Sequence, residues 1–360
     1  MKKRLAVLMC MVLILISAVP LYADYDGDDT SDVFSVRPDG SLDWFETVSN
    51  QYRMVEYVRT TSGDVRSIAT GDLDMDGKAD LLFSRVDSNQ PLTWYEATGV
   101  DNQFAVVASP FGTKSISLNI GNFDNDNYGD LFCTDPNRKL SWFESTGDNT
   151  VTYRKLMPYS NVRCVVVGDV DHQDGNDILI AADHALVWAE STPDNVYTAN
   201  YWAWDSLKNI NSIAMGDLDK NGNTDFFFIK DDPIWGTGTM YWYEFRDSNN
   251  DGYIDSPAYR GRAIGGFVSV TAGDVDRDGR IEVVAVTSDG NIRWFTGRSD
   301  ANALIELIGS GLTQPSRAIA VSQTTKDFQI TRPCGLNADL NGDCSVNFKD
   351  LQVFGNQWLN

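Results

Sequence analysis

Short apolar runs alternate with polar ones along this chain, and the alternation itself recurs. Ser67-Ile68-Ala69, Ser115-Ile116-Ser117-Leu118, Arg163-Cys164-Val165-Val166, Ser212-Ile213-Ala214 and Val268-Ser269-Val270 have the length and β-branched content of strands. Each leads through an acidic stretch into a second apolar run: Leu81-Leu82-Phe83, Leu131-Phe132, Ile178-Leu179, Phe226-Phe227 and Val283-Val284, with Val33-Phe34 as a further copy near the start. Roughly twenty residues after each acidic stretch begins comes a tryptophan, at Trp44, Trp94, Trp142, Trp188, Trp242 and Trp294. Most units end in a fourth run, such as 52–58 or 103–107. Four short strands per unit of about 48 residues predict an all-β protein, a β-propeller with one blade per unit.

The two ends of the repeat predict how the ring closes. The first unit begins at its acidic stretch with no strand ahead of it, whereas Arg317-Ala318-Ile319-Ala320-Val321 follows the sixth unit and resembles the missing strand. Pairing the two gives a six-bladed β-propeller. Seven blades are the alternative, with Asp327-Phe328-Gln329-Ile330 starting the seventh.

The acidic stretches carry the candidate chemistry. They are Asp24, Asp26, Asp28, Asp32; Asp72, Asp74, Asp76, Asp80; Asn122, Asp124, Asp126, Asp130; Asp169, Asp171, Asp177; Asp217, Asp219, Asn221, Asp225; and Asp274, Asp276, Asp278, Glu282. Their first positions are 48, 50, 47, 48 and 57 residues apart. Alternate carboxylates with a glycine and a closing carboxylate suit Ca²⁺, which takes six to eight oxygens in flexible geometry. An EF-hand loop starting at Asp72 would close on a carboxylate at its twelfth position, where Phe83 stands; this loop closes at its ninth, Asp80, and leads into a strand.

These residues resemble the FG-GAP or VCBS repeats, the family that includes the calcium-bearing blades of integrin α-subunits. The resemblance covers about residues 24–322. It implies side-chain ligands at loop positions one, three, five and nine and a backbone carbonyl at seven, which in the second loop means Asp72, Asp74, Asp76, Asp80 and the carbonyl of Lys78. Asp29 and Asn127 stand in the glycine place of the first and third loops, and the fourth loop departs most, with Gln173 at position five and Asp174 at six.

The long spacing before the sixth loop comes from an insertion in which Asp247, Asn249, Asp251 and Asp255 repeat the oxygen spacing out of phase. It reads as a further calcium loop pinning a hairpin, with a metal-free polar turn as the alternative. Past Arg332-Pro333, Asp339, Asn341, Asp343 and Asp350 have EF-hand spacing, and Leu351, Phe354 and Trp358 follow at helical spacing. This small EF-hand-like loop-helix module resembles one dockerin type I repeat, which implies calcium binding and a cohesin-like partner. Dockerins normally carry two such repeats, and Cys344 stands where glycine is common.

At the other end, Lys2-Lys3-Arg4 and the apolar residues 5–19 read as a signal peptide of residues 1–23, the apolar stretch being shorter than the roughly 20 residues of a membrane span. The expected domains are thus 1–23, a propeller over 24–331 and a tail over 332–360, in a secreted or cell-surface protein. The net charge of −22 becomes about −25 once the leader is removed, which disfavours nucleic acid and anionic membrane as partners. Of the four remaining cysteines, Cys334 and Cys344 are expected to form a disulfide stapling the tail, with Cys133 and Cys164 as buried thiols.

Catalytic signals are sparse. His172 and His184 have no nucleophile or metal-ligand pattern beside them, and no phosphate loop or dinucleotide fingerprint occurs. The Trp-aromatic-Glu element recurs in phase and is expected to pack between sheets. Tyr201-Trp202-Ala203-Trp204 and Ile234-Trp235-Gly236 break the repeat and could stack on sugars or anchor a protein. The sequence therefore predicts a calcium-stabilised, non-catalytic binding or scaffold protein with a protein or glycan ligand on a propeller face. The alternative is a secreted polysaccharide-degrading component, a glycoside hydrolase or lyase attached to an assembly through the tail.

Overall fold

The computed structural model describes residues 25–321, apart from 26–31, 38, 48–53, 61–63, 86–91, 101–102, 108–110, 112–114, 125, 127, 172–175, 193–195, 199–206, 208, 233, 235, 247–253, 255–256, 276–279, 299–302 and 307–317. The leader, the acidic residues of the insertion and the whole tail with Cys334 and Cys344 lie outside the described residues.

The described strands number 24 and the described residues contain no helix. β1 to β3 span Asp32–Val36, Leu42–Thr47 and Met54–Thr60, and β4 to β7 span Val65–Gly71, Asp80–Arg85, Thr93–Ala97 and Phe104–Val107. β8 to β11 span Ser117–Gly121, Asp130–Thr134, Leu140–Gly147 and Thr150–Leu156, and β12 to β15 span Val162–Gly168, Asp177–Ala182, Leu186–Thr192 and Val196–Thr198. β16 to β19 span Ile210–Gly216, Asp225–Asp232, Gly236–Glu244 and Ala258–Ile264. β20 to β24 span Phe267–Gly273, Glu282–Thr287, Ile292–Arg298, Ala303–Glu306 and Ala318–Val321.

Each run of four strands from β4 to β23 folds on itself as an antiparallel sheet, giving five blades of a β-propeller, and a further sheet joins β24 to β1, β2 and β3. β24 pairs antiparallel with β1 in the register Val33↔Val321 to Val36↔Ala318, as the two chain ends predict. The first strands of successive blades, β4, β8, β12, β16 and β20, lie side by side, with β24 between β20 and β4. A chain ending at residue 316 leaves one edge of β1 without its partner. An exposed hydrogen-bonding edge recruits other chains, so this truncation is expected to appear as dimers and larger species by light scattering where the full chain does not.

The core explains the tryptophan repeat. Neighbouring residues of a strand point to opposite faces, so Trp44 packs toward the second sheet with Phe34, Leu81 and Phe83, while Phe45 packs toward the last sheet with Val284, Ile292 and Trp294. The same division holds for Trp142 and Phe143, and for Trp294 and Phe295. Trp44, Trp94, Trp142, Trp242 and Trp294 are all at most 1% exposed, and each such ring contributes on the order of 2–3 kcal/mol through burial. Cys133 and Cys164 are buried free thiols, and burial pushes the Cys164 thiol up to about 12. His184 lies exposed in a turn.

Candidate metal-binding loops

The acidic loops join the first strand of a blade to its second. The second loop is described in full, and its three buried acids converge: Asp72, Asp74 and Asp80 each offer a carboxylate oxygen within 4.8 Å of the others. Oxygens on opposite sides of one Ca²⁺ stand about 4.6–5.2 Å apart, so one ion fits among the three. The same convergence is found at Asp169, Asp171 and Asp177 and at Asp217, Asp219 and Asp225. In the sixth loop Asp274 and Glu282 are described and Asp276 and Asp278 are not; in the first loop Asp32 is described and Asp24, Asp26 and Asp28 are not.

The backbone of each loop is shaped by its own carboxylates. The Gly77 amide donates to Asp72 Oδ2 at 3.0 Å and the Gly222 amide to Asp217 Oδ2 at 2.9 Å. Both glycines have left-handed backbones, φ +93° for Gly77 and +86° for Gly222, which is why glycine suits the sixth position. The fifth side chain accepts from the seventh amide: Lys78 to Asp76 at 2.9 Å, Tyr128 to Asp126 at 2.7 Å and Asn223 to Asn221 at 2.8 Å. These are Asx-type turns. Asp76 also meets the Lys78 ammonium at 2.6 Å, and Asn221 donates to Glu244 at 3.0 Å. The fifth position thus stands at the rim, outside the three converging acids.

The ninth carboxylate does more than close the cage. In all six loops it accepts from the amide of the second residue, at Tyr25, Leu73, Phe123, Val170, Leu218 and Val275. Those second residues are apolar and at most 2% exposed, a signal present in the sequence but overlooked there. In the first three loops the other oxygen accepts from the repeat tryptophan: Trp94 Nε1 donates to Asp80 Oδ1 and Trp142 Nε1 to Asp130 Oδ1, each at 2.6 Å, and Trp44 donates to Asp32. The indole therefore fastens the loop to the third strand as well as filling the core. Trp94→Phe keeps an aromatic ring but removes the donor and part of the buried indole, so it is expected to cost about 2–4 kcal/mol in urea unfolding, the lost hydrogen bond and the cavity together.

The glutamate of Trp-aromatic-Glu belongs to the site too. Asp80 faces Glu96 directly across the sheet, as Asp32 faces Glu46, Asp130 faces Glu144 and Asp225 faces Glu244. Like charges directly opposite repel, and bases answer them. Lys78 pairs with Glu96, and Arg154 with Glu144. Arg260 bridges Asp219 at 2.7 Å and Glu244 at 3.1 Å. Arg154 and Arg260 each sit at a β-bulge in the fourth strand of their blade, the extra residue being the arginine itself.

Burial raises the carboxyls. It pushes Asp72 up to about 6, opposed by the Gly77 amide and helped by the charges of Asp74 and Asp76. Asp124 also rises to about 6 through burial, then through Asp126 and Glu144. Asp80, Asp130, Asp177 and Asp225 are held well above the carboxylate range by burial. Asp219 Oδ1 and Asn122 Oδ1 are buried and have no hydrogen-bond partner among the described residues. Oxygens so placed cost free energy unless something fills the coordination, and an all-oxygen donor set is the chemistry of a hard divalent cation. The residues present therefore fit calcium.

No helix among the described residues is long and apolar enough to cross a membrane. The profile of the FG-GAP-like repeat matches residues 24–83, the stretch from the first loop through the second. No curated protein matches the chain. Among solved structures, the BP39L lectin from Burkholderia pseudomallei superposes with TM-score 0.53 at 16% identity, covering 81% of this chain and 87% of the lectin. A candidate 6-phosphogluconolactonase from Bacteroides uniformis gives 0.51 at 12%, covering 82% and 100%. A variant of AofleA from Arthrobotrys oligospora with three arginines replaced by alanine gives 0.52 at 11%, covering 85% and 92%. At such identities the likeness is one of fold: this chain is an all-β β-propeller.

Proposed function

We propose that this protein is an exported, calcium-stabilised binding or scaffold propeller whose six sheets close as six blades, with a dockerin-like tail that docks or sorts it. The observation that carries the calcium reading is the convergence of three carboxylates in each of three loops, together with the buried oxygens of Asp219 and Asn122. Support for closure comes from β24 seated between β20 and β4 and from the core that joins Val33 and Phe45 of the first sheet to Val284 and Trp294 of the last. The ions would neutralise loops that otherwise concentrate negative charge, and so hold the turns at one rim of the ring. Glycans are the first ligand class to test, because a lectin shares the fold.

Calorimetric titration of the secreted chain with calcium chloride, on the full length and on a chain ending at Arg332, tests both modules. Several sites are expected, with at least one fewer in the shorter chain. A glycan array probed with the calcium-loaded propeller then tests the ligand class. Absence of calcium heat would overturn the metal reading.

A further inference from the structure

The loops do not stand apart from one another. The eighth residue of a loop lies just before the closing carboxylate, and in three consecutive blades it reaches back to the loop of the preceding blade. The Gly129 amide donates to Leu73 O at 3.0 Å. Asn176 Nδ2 donates to Asn122 O at 2.6 Å, and Thr224 Oγ1 to Asp169 O at 2.7 Å. Asn176 and Thr224 are 5% and 0% exposed. The accepting carbonyl belongs in each case to the first or second residue of the receiving loop. The contact at Gly129 is close enough that a Cβ there would stand 2.5 Å from Leu73 O. A second tie backs it: the Asn149 amide, in the β10–β11 turn, donates to Asp74 Oδ2 at 2.6 Å, and Asn149 Nδ2 donates to Glu96 at 2.8 Å. Between the fifth and sixth loops the tie is apolar, Ile281 lying against Gly216.

We propose that these back-reaching contacts link the second to fifth loops into one directional series, so that cations bind neighbouring loops cooperatively, with Asn176 and Thr224 as the linking residues. This inference rests on the calcium reading. When the ninth carboxylate settles on an ion, the eighth residue moves with it, and its hydrogen bond pulls the first ligand of the preceding loop into register. Side-chain links of this kind couple two sites only if each loop has a looser and a tighter state. The ion-free loop, in which no cation draws the three oxygens together, supplies the looser one.

The test is calcium titration of the full chain, read by calorimetry and by hydrogen exchange of the loop peptides, for the wild type, Asn176→Ala and Thr224→Val. The wild type is expected to bind with a Hill coefficient above 1 and with the third, fourth and fifth loops gaining protection at the same calcium concentration. Coupling of this sort shifts neighbouring affinities by on the order of 5-fold or more. Each variant is expected to keep its number of sites while the loop on the far side of the lost link becomes protected at several-fold higher calcium. Independent sites in the wild type, or variants as cooperative as the wild type, would overturn the inference and leave the calcium reading standing. No calcium binding in the wild type would overturn both.

Discussion

Chelation of divalent cations is expected to lower the melting temperature of the full chain by roughly 10 °C or more at pH 7.5. A site saturated at a hundred times its dissociation constant stabilises the fold by about 2.7 kcal/mol, three such sites give about 8 kcal/mol, and a domain of this size loses on the order of 2 °C per kcal/mol. The effect depends on pH with a definite sign. Without the ion, burial holds Asp72 and Asp124 near 6, above their ordinary value of 3.8. The folded chain then binds more protons than the unfolded chain between pH about 4 and 6, so its stability is fully present below that window and falls as pH rises through it. A bound cation favours the ionised carboxylates and removes the fall. Melts with chelator at pH 5 and pH 7.5 should therefore differ from calcium melts much less at the lower pH. A melt indifferent to chelator at pH 7.5 would contradict the expectation.

Asp80→Ala is expected to cost about 3–5 kcal/mol even with chelator present, whereas Asp76→Ala costs under about 1 kcal/mol. Asp80 accepts from Leu73 N at 2.7 Å and from Trp94 Nε1 at 2.6 Å, and is fully buried. Its removal strands two buried donors, each worth about 1–3 kcal/mol when left unmade. Asp76 serves one turn at the rim and an ion pair with Lys78, whose side chain is 43% exposed, and such pairs contribute little. Urea midpoints in chelator separate this fastening from any metal effect. Equal losses for the two variants would show that the ninth carboxylate acts through the ion alone.

The contrast between these two aspartates marks how far the sequence could be read. Both stand in one acidic pattern, and that pattern, in phase with the tryptophans, was enough to place four strands per repeat and to seat β24 beside β1. Their different roles were not legible, because the donors to Asp80 come from a backbone amide seven residues back and an indole fourteen residues on. The buried apolar residue at the second loop position was the available clue. Glu96 and Glu244 were hidden for a related reason: cross-strand register, which sets them opposite Asp80 and Asp225, depends on a hairpin that spacing does not specify. Asn176, Thr224 and Asn149 reach across blades, and no local pattern encodes such contacts. The expected ligands of the insertion, the tail and most of the first loop lie outside the described residues.

The pairing of β24 with β1 also orders events in time. Val33 finds Val321 only after the five intervening sheets have been made, and at 5–20 residues per second the interval between completing β1 and producing β24 is roughly 15–60 s. During that interval the first sheet has three strands and an open edge, while blades built from consecutive strands can form as they emerge. A contact of such long sequence separation is slow to form. The nascent first sheet is thus the segment most in need of a chaperone, and the last strand acts as the checkpoint that ends its exposure.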